Sequence, residues 1–227
     1  MKGRKPWVKL PSVWIESDGL KDYRWKQGEG ADNLAALMAL TAIVHNADEF
    51  DGTARITYDK MCEATGLSRP KLSAGLTVLE EKGRIERGLD GRGTYRLPDY
   101  NPERDWVMFP CLPLYNENQV RAFHEMHLRS PTELHALKLY FLIASRRDRQ
   151  TNRTMLSYDK MTAYSGVPRN SIRQALSFLT VQGLVHVDRA KSENEDGVAN
   201  VYRIANLEPR RHAGTTGRSD ATNNRVA

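Results

Sequence analysis

Ile56-Thr-Tyr-Asp-Lys-Met61 and Leu156-Ser-Tyr-Asp-Lys-Met161 stand 100 positions apart, and the correspondence extends well beyond them. The same offset carries Gly66 onto Gly166, Arg69 onto Arg169, Leu72 onto Ile172, Leu76 onto Leu176, Leu79 onto Leu179 and Gly83 onto Gly183. Over 56–85 against 156–185, nine of thirty positions are identical. Upstream, Leu34/Leu134, Ala36/Ala136, Leu37/Leu137 and Ile43/Ile143 keep the register, and Trp7-Val8 with Pro11 echoes Trp106-Val107 with Pro110 at an offset of 99. Two helical segments share apolar spacing by chance. They do not readily share Tyr-Asp-Lys-Met with the glycines in step, so an internal repeat is the first reading. It divides the chain into a domain over 1–98, a linker over 99–103, a second domain over 104–207 and a basic flexible tail over 208–227. The linker lies within the Pro-bounded stretch Pro98-Asp-Tyr-Asn-Pro-Glu-Arg104.

Each copy has the same local pattern. In the first, Leu34, Leu37, Met38, Leu40 and Ile43 recur at helical spacing over 33–46. A short extended piece, Arg55-Ile56, follows. Thr57 reads as an N-cap for a helix over 58–64, Gly66 as a tight turn, and Ser68 as the cap of a helix to Lys82 burying Leu72, Leu76 and Leu79. Gly83 stops that helix. Strands over 84–87 and 94–97 flank the hairpin turn Asp90-Gly91-Arg92-Gly93. In the second copy, Ser130-Pro131-Thr132-Glu133 reads as a capping box with proline at the first helical position. Ser157 caps the next helix, Gly166 turns, and a helix from Arg169 ends at Gln182-Gly183. Strands over 184–188 and 199–204 enclose a longer loop over 191–198. The expected fold class is mainly α with small β-hairpin wings, an α+β fold.

Helix, short strand, helix, tight turn, helix and hairpin is the order of the winged helix-turn-helix. The chain resembles winged-helix DNA-binding domains through Thr57-Tyr-x-x-Met-x-x-x-Thr-Gly-Leu-Ser-Arg69 with Leu79-x-x-x-Gly-Arg-Ile85. The second copy offers Ser157-Tyr-x-x-Met-x-x-x-Ser-Gly-Val-Pro-Arg169 with Leu179-x-x-x-Gly-Leu-Val185. The tandem arrangement is similar to plasmid and phage replication initiators. The resemblance implies two winged helix-turn-helix domains that place a recognition helix in the major groove. MarR- and GntR-type regulators share the single-domain pattern, which is specific for the fold and not for the biological role.

On the first recognition helix the inward leucines leave Ser68, Arg69, Pro70, Lys71, Ser73, Ala74 and Thr77 on the outer or flanking arc. On the second, Arg169, Asn170, Arg173, Gln174 and Ser177 lie outside Ile172, Leu176 and Leu179. Arginine pairs bidentately with guanine, and asparagine or glutamine with adenine, so the second helix is the richer base reader. Thr57, Tyr58, Lys60, Ser157, Tyr158 and Lys160 open the preceding helices, where hydroxyls and backbone N–H groups suit phosphate. Arg87, Arg92 and Arg96 make the first wing basic. Glu193, Glu195 and Asp196 make the second acidic, so that it either points away from DNA or meets a protein partner. Basic ends (Lys2, Arg4, Lys5, Lys9; Arg210, Arg211, Arg218, Arg225) and the helix-end cluster Arg146, Arg147 and Arg149 are further sources of nonspecific affinity.

The remaining composition bounds the function. The chain has 227 residues, 40% hydrophobic and 27% charged, as in ordinary globular proteins. A net charge of +6 favours a polyanionic partner. No apolar run approaches the ~20 residues that span a bilayer. The basic start, Met1 to Trp7, is followed by no apolar segment of a secretory signal. Cys62 and Cys111 form no framework, as in a reduced cytoplasmic protein. His124-Glu-Met-His127 is one residue short of the zinc-protease spacing, and no phosphate-binding glycine loop occurs. The expectation is a non-enzyme without cofactor that binds double-stranded DNA, most simply in plasmid or phage replication initiation or maintenance, with a host replication protein or a second copy as further partner. A transcriptional repressor is one alternative. A protein-interaction module like the tandem winged-helix subunit of bacterial condensin is another. The helical candidates over 20–26 and 118–128 are too short for the long dimerisation helices of a repressor.

Overall fold

The computed structural model describes residues 4–88, 91–98, 100–191 and 198–207. Its elements run β1 (Trp7–Pro11), α1 (Val13–Glu16), a 3₁₀ turn (Gly19–Asp22), α2 (Gly30–His45), β2 (Thr53–Arg55), α3 (Tyr58–Thr65), α4 (Arg69–Glu81), β3 (Glu86–Arg87) and β4 (Thr94–Arg96). There follow β5 (Trp106–Pro110), a 3₁₀ turn (Leu112–Leu114), β6 (Tyr115–Asn116), β7 (Gln119–Val120), a 3₁₀ turn (Arg121–Glu125), α5 (Pro131–Ser145), β8 (Thr154–Met155), α6 (Tyr158–Ser165), α7 (Arg169–Val181), β9 (Val185–Lys191) and β10 (Val198–Ile204). This is an α+β chain with small antiparallel sheets, ordered β2-β4-β3 and β8-β10-β9 in the two parts and β6-β7 and β1-β5 elsewhere.

The local signals act as read. Thr57 Oγ1 accepts from Lys60 N at 3.3 Å, and Ser157 Oγ accepts from Lys160 N at 3.2 Å, so each hydroxyl satisfies one orphan donor of its helix. Gly66 and Gly166 have φ of 72° and 69°, the left-handed conformation that lets α3 turn into α4 and α6 into α7. Ser68 caps α4 by position only; its hydroxyl makes no cap hydrogen bond. Ser130 does accept from the helix, from Thr132 N at 3.2 Å, but the capping box is not closed as expected. The Glu133 carboxylate accepts instead from Leu128 N at 2.7 Å, because the chain before α5 folds back over it. The helical candidates at 20–26 and 118–128 are 3₁₀ turns, the second preceded by the β6–β7 hairpin.

The two segments that echo each other, β1 and β5, pair with each other. Their antiparallel register sets Trp7 against Pro110, Lys9 against Met108 and Pro11 against Trp106. Each residue thus faces the counterpart of its mirror position, which is a local two-fold about Lys9 and Met108. α2 and α5 contact this ribbon and each other, α4 packs on α2 and α7 packs on α5. Gly75 permits the α4–α2 approach: a β-carbon there would lie 2.7 Å from the Ala35 carbonyl carbon and 2.8 Å from Ala36 N. One buried cluster runs through both parts, from Leu34, Leu37 and Leu76 to Leu137, Phe141 and Leu176. The segment read as a linker is pinned to it. Tyr100 OH donates to Glu49 O at 2.7 Å, and Pro102 O accepts from Lys9 Nζ at 2.6 Å and Trp106 Nε1 at 3.1 Å.

Polar groups also cross the boundary. The buried His45 Nε2 bonds Pro110 O at 2.9 Å, which fixes the proton there, so Nδ1 accepts from Tyr115 OH at 3.0 Å. Burial pulls the His45 pKa down to about 3. Lys138 on α5 donates to Tyr23 O at 2.7 Å. The segments between the first strand and first long helix of each part are exchanged. Lys21 packs over Gly166, 3.4 Å from where a β-carbon would stand, and Gln119 Nε2 occupies the corresponding place over Gly66, 2.6 Å from it.

Candidate nucleic-acid interface

α4 and α7 each bury one stripe, Leu72, Leu76 and Leu79 or Ile172, Leu176 and Leu179, against α2 and α5. That fixes what faces outward. Ser68, Arg69, Ser73 and Thr77 are exposed on α4, and Arg169, Asn170, Arg173 and Gln174 on α7. Arg173 and Gln174 have no side-chain partner among the described residues, so their donors stand open to solvent. Asn170 Oδ1 accepts only a long bond from Ser171 Oγ, at 3.4 Å.

The first residue of each helix is tethered. Arg69 pairs with Asp59 and lies over the Tyr58 ring, 5.6 Å from its centroid. Arg169 pairs with Asp159 at 2.8 Å and lies 5.9 Å from the Tyr158 centroid. Tyr58 OH in addition donates to Arg69 O at 2.9 Å. The repeated Tyr-Asp pair is therefore partly a clamp that holds the two helices of each unit together. Both ion pairs are largely exposed, with arginine side chains 65% and 64% accessible. Such pairs are worth at most about 1 kcal/mol and yield to a phosphate.

Lys71 is half-buried on the flank of α4, and its ammonium bonds Asp32 Oδ1 at 2.8 Å, in the first turn of α2. The wing is also less basic than its composition. Arg87 is paired with Glu80 and Arg96 with Glu86, which leaves Arg92 as its open cation among the described residues. Arg92 adjoins the helix openings: Ile56 N donates to Gly93 O at 3.0 Å, which sets the hairpin beside Thr57. Lys60 and Lys160 are exposed, with unbonded ammonium groups, while Tyr58 and Tyr158 are half-buried. The structure thus gathers Thr57, Lys60, Ser68, Arg69, Ser73, Thr77 and Arg92 in one part and Ser157, Lys160, Arg169, Asn170, Arg173 and Gln174 in the other. Arg55, exposed on β2, lines a separate cleft with Arg4, Glu49 and Phe50.

The other basic clusters are used internally. Arg4 lies 3.8 Å from the Tyr115 centroid, Lys5 pairs with Glu49 at 2.6 Å, and Lys9 sits 5.0 Å from a Trp106 centroid. Arg146 lies 4.5 Å from the Tyr164 centroid, and Arg149 donates to Trp106 O at 2.6 Å. Arg147 is buried. Lys2, Asp90, Asp99, Glu193, Glu195, Asp196, Arg210, Arg211, Arg218 and Arg225 lie outside the described residues. No group of three or more histidine, cysteine, aspartate or glutamate side chains that could hold a metal occurs among the described residues, and both cysteines are unpaired. Among those residues, no helix is long and apolar enough to cross a membrane. No protein-family model matches the sequence, nor does any curated protein.

Proposed function

We propose that the chain is a duplex-DNA-binding protein with two tandem winged helix-turn-helix units, reading two half-sites of one target. The observation that carries this reading is the unpartnered Arg173–Gln174 edge of α7. It projects from a helix that follows a capped helix and a left-handed glycine turn, with the same frame repeated at α4. Arg173 has the fork for guanine, and Gln174 the amide for adenine. Thr57, Lys60 and Arg92, with Ser157 and Lys160, supply phosphate contacts that fix register.

The local two-fold at β1–β5 supports inverted half-sites, since elements related by it run in opposite directions along a duplex. α4 packs on α2, α2 on α5 and α5 on α7, and three such helix-to-helix steps of about 8–10 Å sum to about one duplex turn of 34–36 Å and not two. Because both readers sit in one chain, site recognition needs no dimer. This favours a plasmid or phage replication initiation or maintenance protein, which marks its origin and recruits host machinery, over a repressor that dimerises on its operator.

Selection of bound duplexes from a random pool tests the reading. Enrichment of a bipartite motif supports it. Salt titration of the selected duplex should then show affinity falling about 10³–10⁵-fold between 50 and 200 mM, as for six to ten phosphate contacts. No enrichment with a flat salt response sinks it. The rival, a protein-interaction module, has one observation in its favour: α4 presents Pro70 and Ala74 where α7 presents Asn170 and Gln174, and its Lys71 is engaged. That module would leave the pool unenriched.

A further inference from the structure

The exchanged segments do more than close the core. The 111–130 segment runs from the end of α7, where Arg121 Nη2 comes within 3.5 Å of a β-carbon position at Gly183, to the turn before α4, where Gln119 covers Gly66. Between these two points opens a cleft of about 570 Å³. Asn116, Gln119, Arg121, His124 and the carboxylate Glu125 line one side, and Val181, Gln182 and Gly183 the other. Its volume suits a nucleotide-sized segment. Arg121 is exposed and has no partner among the described residues. His124 is held by Glu125 at 3.1 Å, so the open cation is Arg121.

At the corresponding place in the first part the cations are engaged: Lys82 lies 5.4 Å from the Tyr23 centroid, and Arg84 bonds Asp22 at 3.3 Å and lies 5.2 Å from a Trp14 centroid. Val181, 79% exposed, is the most exposed large hydrophobic side chain among the described residues and stands on its rim. The cleft lies at the end of α7, and Gln119 on its wall covers Gly66 in the turn before α4, so it stands between the two units.

We propose that this cleft receives the sugar–phosphate backbone of the DNA between the two half-sites, with Arg121 contacting a phosphate, Asn116 offering an amide donor and Val181 packing on sugar. This rests on the duplex-binding reading above. The contact carries no base information, and it adds a third grip that only a continuous duplex can fill.

The test compares wild type with Arg121→Gln and Arg121→Lys on the selected duplex, across a salt series, with thermal melts confirming equal folding. Arg121→Gln should weaken binding about tenfold at 100 mM salt and flatten the log–log salt slope by about 0.9, the value of one phosphate. Arg121→Lys should restore most of the slope, because it keeps the charge. Neutral methylphosphonate at one central phosphate should weaken wild type and leave Arg121→Gln unchanged. Equal slopes and affinities for wild type and Arg121→Gln, or equal weakening of both by every central methylphosphonate, overturn the cleft contact while the duplex reading stands. Failure of wild type to bind any duplex overturns both, and is seen before any variant is made.

Discussion

Lys138 carries an ammonium group into the boundary between the two parts, where it is 2% exposed and donates to Tyr23 O. Burial, with Arg24 adding and Asp22 opposing, pulls its pKa from 10.5 down to about 8. The folded pKa is below the unfolded one, so the native state releases its proton first. Between pH 8 and 10.5 the unfolded chain holds more protons, and stability rises with pH. From pH 7 to 9.5 this contributes about 2 kcal/mol. The buried tyrosines act in the opposite direction: burial raises the pKa of Tyr23, Tyr115 and Tyr140, so their unfolded forms ionise first near pH 10. Lys138→Met keeps every tyrosine and removes only the lysine. Urea unfolding of both proteins at pH 7 and 9.5 isolates the effect: wild type should gain on the variant by about 2 kcal/mol. Stabilities that move in parallel within about 0.5 kcal/mol would refute the buried ammonium, and with it this brace between the parts.

Two further predictions concern DNA. Half-sites centred about 10–11 base pairs apart should bind best, and five inserted base pairs, which rotate one half to the opposite face, should reduce affinity to that of a single half-site. Unchanged affinity in a mobility-shift assay would mean that one unit alone reads DNA. Arg173→Ala and Gln174→Ala should each relax base preference by roughly 1–3 kcal/mol, whereas Lys60→Ala should weaken all duplexes about equally. Mutants that behave alike across a panel of altered sites would overturn that division of roles.

The parts of the fold that were legible in the sequence are those with local causes. Thr57, Ser157, Gly66 and Gly166 each act on the backbone within a few residues, and the leucine spacing fixes which face of α4 and α7 is buried. The β1–β5 ribbon was not legible. Trp7-Val-Lys-Leu-Pro11 has no clean alternation, and its partner is about 100 residues away. The echo of tryptophan and proline was visible; that the echoing segments pair with each other was not. The pairing of surface charges was not legible for a related reason. Composition counts cations, but Asp32, Glu80 and Glu86 neutralise Lys71, Arg87 and Arg96 through packing that no local pattern encodes. The candidates over 20–26 and 118–128 form 3₁₀ turns, whose packing on the other part no local pattern encodes.

What the two parts share and where they differ follows different physical demands. The caps, the glycine turns and the Asp59–Arg69 and Asp159–Arg169 clamps recur, since each satisfies a backbone or charge requirement of the same local frame. The outward arcs have diverged: Ser73 faces Arg173 across the repeat, Ala74 faces Gln174, and Pro70 faces Asn170. Two identical subunits around a dyad must carry identical arcs and so read identical half-sites. One chain with a local two-fold has no such constraint. Under the duplex-binding reading, α7 then carries most of the base discrimination. α4, with hydroxyls at Ser68, Ser73 and Thr77 and an arginine at its start, carries mainly backbone contacts. On that reading, specificity is concentrated in one half-site and phosphate affinity is spread over both, an unequal division available to two units in one chain and closed to a symmetric dimer.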